Sequence, residues 1–331
     1  MFQIFFLILS TLFFIEIILY FFPVLATIEK NQTLSPAKLI PDDDPTIGFT
    51  FKKNYTTATF KTNSKGFREF NRSYSNSNKI YLLGDSLLSD ESKCDTQALS
   101  TLLYNKINKT KNDYSIFDYG LRGYNTTNQY GIFKRYIFPE LKSPGKKNIY
   151  LLYALDDINF DYIITKSGDN LDYKQKKEFK IRTVVLFKWA FKEFKKRLKQ
   201  LLNIKSKESG DYHFQQYKNA YYNTEPNNKN FKRNIDLITK MNEYCKDLNI
   251  RFKVIIIPFR FQVGADDVNV LRPQKELIKA FNKNGIKYID LYNAFYANRN
   301  KKLYMLNDGT HLELDGNKIL IDIICFDIEQ K

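Results

Sequence analysis

The stretch Lys79-Ile80-Tyr81-Leu82-Leu83-Gly84-Asp85-Ser86 decides the reading of this chain. A compact apolar run stops at a glycine and gives way at once to an acid and a hydroxyl. A short apolar run bounded by turn residues reads as a strand buried on both faces. Outward from it the rhythm repeats. Residues 96–107 read as a helix, and residues 115–118 as a second strand ending in a Gly-rich turn. Residues 128–138 suit another helix, and residues 149–153 form a third apolar strand with Asp156-Asp157 just past its end. Further on, Phe231, Ile235, Ile238, Met241, Cys245 and Leu248 recur at helical spacing, and residues 252–257 form a strand that stops at Pro258. Pro273 opens a helix that Gly285 closes. A strand at 288–291 follows, then a loop with Asp308 and His311. Asp315 is placed to cap a last helix burying Ile319, Leu320, Ile323 and Ile324. Short strands alternating with helices predict βαβ units, a mainly parallel central sheet and an α/β/α sandwich of three layers.

The chain has 331 residues, enough for one large α/β domain or two smaller ones once a membrane segment is set aside. Its formal net charge of +16 raises nucleic acid as a partner. The surplus Lys is scattered and arrives with much Asn, Ile, Phe and Tyr, so no nucleic-acid partner is expected. A basic surface also favours anionic lipid or an acidic envelope polymer. Cys94, Cys245 and Cys325 show no metal spacing and cannot all be disulfide-paired; Cys245 and Cys325 fall in apolar helical patterns and read as core. Only His213 and His311 are histidines, which excludes a histidine-rich metal centre. His213 lies in a Tyr-rich polar stretch and reads as a surface or substrate-side residue.

Residues 2–26 are nearly all apolar, long enough to cross a bilayer. They lack the basic start and small-residue exit of a cleaved leader, so an uncleaved anchor is expected. Glu16 lies in mid-segment, where a carboxylate is costly. It is either neutral, paired with another envelope protein, or the mark of a marginally inserted segment. Lys30 and Lys38 against Glu29, Asp42, Asp43 and Asp44 lean weakly against export of the domain. The resulting division is an anchor at 1–27, a linker and lead-in at 28–72, and a catalytic domain at 73–331 interrupted by an insertion at about 161–230. Within the insertion, Val184, Phe187, Phe191, Phe194, Leu198 and Leu201 share one face, with Lys188, Lys192, Lys195, Lys196 and Lys199 around them. That pattern suits a packed helix with a solvated basic face, a lid, or a helix lying on the membrane surface.

Serine becomes a nucleophile when a base takes its proton, and the base needs an acid to hold its tautomer. Ser86 follows the first apolar strand, and Asp308 precedes His311 by three residues, a spacing that can direct carboxylate and imidazole at one point. Gly84-Asp85-Ser86-Leu87 resembles the nucleophile motif of the SGNH, or GDSL, hydrolases, and Asp308-Gly309-Thr310-His311 resembles their Asp-x-x-His motif. Asp118-Tyr119-Gly120-Leu121-Arg122-Gly123 looks like their second block, whose later glycine supplies an oxyanion-hole amide. Pro45-Thr46-Ile47-Gly48 and Asn63-Ser64-Lys65-Gly66-Phe67-Arg68 resemble bacterial members with an N-terminal anchor and an exported catalytic domain.

The resemblance implies a flavodoxin-like sandwich and a Ser86–His311–Asp308 triad, with an oxyanion hole of the Ser86 and Gly123 amides. Asp156 stands where the family usually has an Asn that donates to the oxyanion. An ionised carboxylate cannot donate. Either Asp156 is protonated, or it turns away, or the hole relies on the Ser86 and Gly123 amides. The implied chemistry needs no metal or organic cofactor. The expected activity is hydrolysis of acyl esters, O-acetyl groups foremost, on an envelope carbohydrate or lipid. An O-acyltransferase with the same triad and a non-catalytic envelope-assembly or glycan-binding protein are the alternatives.

Overall fold

A computed structural model describes residues 11, 39–56, 59–69, 78–91, 93–109, 114–154, 228–265, 268–305 and 308–330. From residue 39 onward these all belong to one compact unit. The anchor (apart from Thr11), Glu16, Asp156, Asp157, His213 and nearly all of the insertion lie outside the described residues. Among the described residues, no helix is long and apolar enough to cross a membrane.

The centre is a five-stranded sheet of β5 (Asn78–Gly84), β6 (Tyr114–Gly120), β7 (Lys147–Ala154), β8 (Arg251–Ile257) and β9 (Tyr288–Asp290). Their order is β6-β5-β7-β8-β9 and every pairing is parallel. The chain moves from β5 to one neighbour and then returns to the other side, so the topology reverses at β5 and β7. Open sheets of this kind bind ligands beyond the strand C-termini at such a reversal. Ser86 follows the C-terminus of β5.

Helices cover both faces. Alternate residues of a strand point to opposite sides. Tyr81 and Leu83 join one core with Tyr119, Leu151, Val254 and Ile256, under α3 (Thr126–Ile132), α4 (Lys229–Asp247) and α6 (Arg272–Lys283). Ile80 and Leu82 join the other with Ile116, Leu152 and Ile255, under α1 (Ser86–Ser89), α2 (Leu99–Ile107) and α8 (Leu314–Glu329). Burial on both sides is why the strands read as continuous apolar runs. Cys245 and Cys325 are buried.

Several elements differ from the sequence reading. The helix expected over 96–107 is a short 3-10 turn at Asp95–Gln97 and then α2, broken at Ala98, whose backbone is extended. The helix expected over 128–138 begins at Thr126, because Asn125 caps it, and its end widens into a π turn at Phe133–Ile137. Two short helices, α5 (Arg260–Gly264) and α7 (Tyr292–Ala297), had no amphipathic stripe long enough to register. Asp315 does not cap α8: Glu313 holds the N-cap position with extended backbone, and Asp315 lies in the first turn. The buried face of α8 is Leu320, Ile321, Ile324, Cys325 and Ile328, with Ile319 and Ile323 at its edge, because the helix packs against Leu99, Leu103 and Ile107 of α2. The lead-in folds as two small antiparallel pairs, β1 (Leu39–Pro41) with β2 (Phe49–Phe51) and β3 (Lys61–Thr62) with β4 (Arg68–Glu69).

Candidate active site

Ser86 is the first residue of α1, so the chain turns from strand to helix at the hydroxyl. Asp85 caps the turn, its buried carboxylate accepting from the Leu87 amide at 2.8 Å. The turn is closed by Asp90, whose amide donates to the Ser86 carbonyl at 2.9 Å from a backbone with φ of 25°. α1 lies directly on the end of β6. A Cβ at Gly120 would stand 2.6 Å from Leu88 side-chain atoms and 2.7 Å from the Ser89 amide, distances no packed Cβ tolerates. Glycine at 120 is therefore a condition for the Ser86 turn to sit where it does.

At the other end of the chain, one oxygen of Asp308 accepts from the amides of Thr310 (2.8 Å) and His311 (2.9 Å). Its second oxygen meets His311 Nδ1 at 2.8 Å. A carboxylate only accepts, so Nδ1 carries the proton and, in the neutral ring, Nε2 holds the lone pair. The loop is pinned by Met305 N to His311 O (2.9 Å), Arg260 N to Gly309 O (2.8 Å) and the Tyr304 hydroxyl to Pro258 O (2.8 Å). Those contacts fix it beside the exit of β8.

Charge follows from this geometry. Burial pulls the His311 pKa down, but the hydrogen bond and charge of Asp308, with Asp85 and Asp90 behind, outweigh it, and the imidazole lies above its ordinary 6.5. Burial pushes Asp308 up, yet His311 and the two amides bring its carboxyl well below the usual range. Asp85 and Asp90 belong to the Ser86 turn, so their influence on His311 places the two ends of the chain close together. A direct link exists as well: Lys93 Nζ donates to the Leu312 carbonyl at 2.6 Å and pairs with Asp90 at 2.6 Å. Among the described residues, Ser86 and His311 share no hydrogen bond. Such contacts often tighten only with substrate.

Gly123 occupies the turn after β6 with φ of 77°, a left-handed conformation that favours glycine. Tyr124 N donates to Leu121 O at 3.1 Å across it. Asn125 and Asn128 then cap α3 reciprocally, and the Asn128 amide reaches back to the Thr46 and Ile47 carbonyls at 3.3 and 3.0 Å. Tyr124 adds a 2.7 Å bond to Phe49 O. The Pro45–Gly48 motif is thus a brace for the Gly123 turn. Arg68, the last residue of the other lead-in motif, is wholly buried. Its guanidinium donates to the carbonyls of Ser89, Asp90 and Lys93 and pairs with Asp95 at 2.9 Å. It braces the Ser86 turn. Lys93 carried no sequence signal, being one Lys among many, and Arg68 was visible only as part of a motif of unstated purpose. Among the described residues, no group of three His, Cys, Asp or Glu is placed to hold a metal.

No described protein family and no curated protein matches the sequence. Solved structures do share the outline. One is a member of the lipolytic protein G-D-S-L family from Veillonella parvula, 12% identical over 77% of this chain and 99% of that one, with a TM-score of 0.42. An acetyl xylan esterase is 11% identical over 76% and 99%, TM-score 0.44. The lipase/acylhydrolase from Enterococcus faecalis is 13% identical over 76% and 95%, TM-score 0.41. The likeness is one of fold, and at these scores it assigns neither an activity nor a residue role to this chain.

Proposed function

We propose that the chain is a serine ester hydrolase with Ser86 as nucleophile, His311 as base and Asp308 as the acid that orients it. The observation that carries the reading is the 2.8 Å Asp308–His311 pair, tied by Lys93 to the turn bearing Ser86. His311 Nε2 takes the Ser86 proton as Oγ bonds to the ester carbonyl carbon. The oxyanion develops against the Ser86 and Gly123 amides, the alcohol leaves with the proton from His311, and water then releases the acyl group by the same steps reversed. Asp156 stands aside from the oxyanion or grips a substrate hydroxyl. In neither case does Asp156→Asn raise the acylation rate, and in the second it mainly weakens substrate binding.

The proposed substrate is an acyl ester, O-acetyl foremost, on an envelope carbohydrate or lipid, met by a domain held outside the cytoplasm by residues 1–27. Glu16 is the group through which an envelope protein partner would join. The test is to incubate the full chain in mild detergent with O-acetylated polysaccharide, with and without an acceptor sugar, and to follow free acetate and acetylated acceptor. Acetate release that is lost in Ser86→Ala supports hydrolysis. Acetyl appearing on the acceptor in place of acetate reassigns the chain to acyl transfer. Equal turnover by wild type and Ser86→Ala overturns both.

A further inference from the structure

Lys93 joins the two halves of the site. Lys93 is mostly buried, its side chain 11% exposed. Its ammonium bonds at once to the Asp90 carboxylate of the Ser86 turn and to the Leu312 carbonyl, next to His311 and 219 residues away in sequence. Both ends of this link are themselves held. The Lys93 amide donates to Asp90 O at 3.0 Å, and the Lys93 carbonyl accepts from buried Arg68. Leu312 is buried and bridged to Tyr304. A surface lysine in so basic a chain would spend its charge on water. This one instead spans the gap between nucleophile and base, where a charge-assisted bond is short and directional.

We propose that Lys93 is a positioning residue that sets the distance between the Ser86 turn and the His311 loop and screens His311 from the Asp90 carboxylate. The inference deepens the hydrolase reading and rests on it for its catalytic consequence, but the linkage itself is a property of the fold. The charges acting on His311 are those of Asp308 on its own loop and of Asp85 and Asp90 on the Ser86 turn; the cations on the adjoining elements are Lys93, bonded to the Leu312 carbonyl, and Arg260, whose amide holds the Gly309 carbonyl. Removing the cation takes away the ion pair at Asp90, and a carboxylate that has lost a cation favours the imidazolium more strongly. It also frees the two loops to separate, and a misplacement of about 1 Å can cost on the order of a hundredfold in rate.

Two histidines make the test direct. The full chain in mild detergent, labelled with 13C-histidine, shows two imidazole signals, and His213→Gln identifies the one from His311. In Lys93→Met the His311 titration should move up by roughly half a pH unit or more. Acylation of Ser86 by a fluorophosphonate should slow at least about tenfold. Lys93→Arg should restore most of both. If Lys93→Met fails to fold by circular dichroism, Lys93→Gln replaces it: the charge is gone, one donor to Leu312 O remains, and the titration should still move. A slower label with an unmoved His311 titration would make Lys93 a packing residue and overturn the proposal, as would no change in either. A moved titration with no Ser86 labelling even in wild type would sustain the linkage and overturn the hydrolase reading instead.

Discussion

Asp118 gives the most quantitative handle on how the fold holds the Ser86 turn. Its side chain is buried beneath α1 and α2, and one oxygen accepts from the Gly120 amide at 2.9 Å. The Ser100 hydroxyl lies near its other oxygen. Burial raises the carboxyl from its usual 3.8 to about 6, the Gly120 amide and Ser100 offsetting only part of the cost. The sign follows from linkage. Between those two values the unfolded chain gives up a proton that the folded chain keeps, so stability is full below about 4 and declines as pH rises through about 6. Each pKa unit is worth about 1.4 kcal/mol, so the interval amounts to about 3 kcal/mol. Asp118→Asn keeps the acceptor for Gly120 and turns an amide toward Ser100, and it has no proton to lose. Urea unfolding of the full chain in mild detergent, followed by circular dichroism, reads the difference. The variant's advantage over wild type should grow by about 3 kcal/mol between pH 4 and pH 7.5. An effect independent of pH, or a variant less stable than wild type at pH 7.5, would refute the reasoning.

Other perturbations act on the site itself. Because His311 must be neutral to accept a proton and its pKa is raised, turnover should climb through a midpoint above 6.5 and level off beyond it. Asp308→Asn should lower that midpoint and cut kcat on the order of a thousandfold or more, read from the pH–rate profile. Gly120→Ala forces α1 off β6 and should cost about 1–3 kcal/mol in the same urea assay, with slower acylation of Ser86. Protease added to intact cells should remove the domain and leave an N-terminal stub. Complete protection until the membrane is opened would place the domain on the cytoplasmic side.

The sheet was legible because its central strands are buried on both faces: runs such as Ile80–Leu83 and Ile149–Tyr153 have no polar alternation to obscure them. The Asp308–His311 contact was legible because it is local, three residues apart, and needs no knowledge of the rest of the chain. What escaped the sequence is held by backbone groups. Arg68 donates to the carbonyls of Ser89, Asp90 and Lys93, Lys93 to that of Leu312, and Asn128 to those of Thr46 and Ile47, so no partner residue type marks those contacts. The phase of α8 was misjudged for a related reason. Ile319, Leu320, Ile321, Ile323 and Ile324 are all apolar, so composition cannot say which stripe faces α2; the packed neighbour decides. The anchor, the insertion and Asp156 lie outside the described residues and stand on the sequence alone.

The central claim is that Ser86 is an activated nucleophile, and a fluorophosphonate probe followed by peptide mass analysis tests it most directly. The full chain should carry the probe on Ser86 and on no other serine, with labelling lost in Ser86→Ala and strongly slowed in His311→Ala. A folded protein that takes no probe, or labelling that persists in Ser86→Ala, would contradict the account.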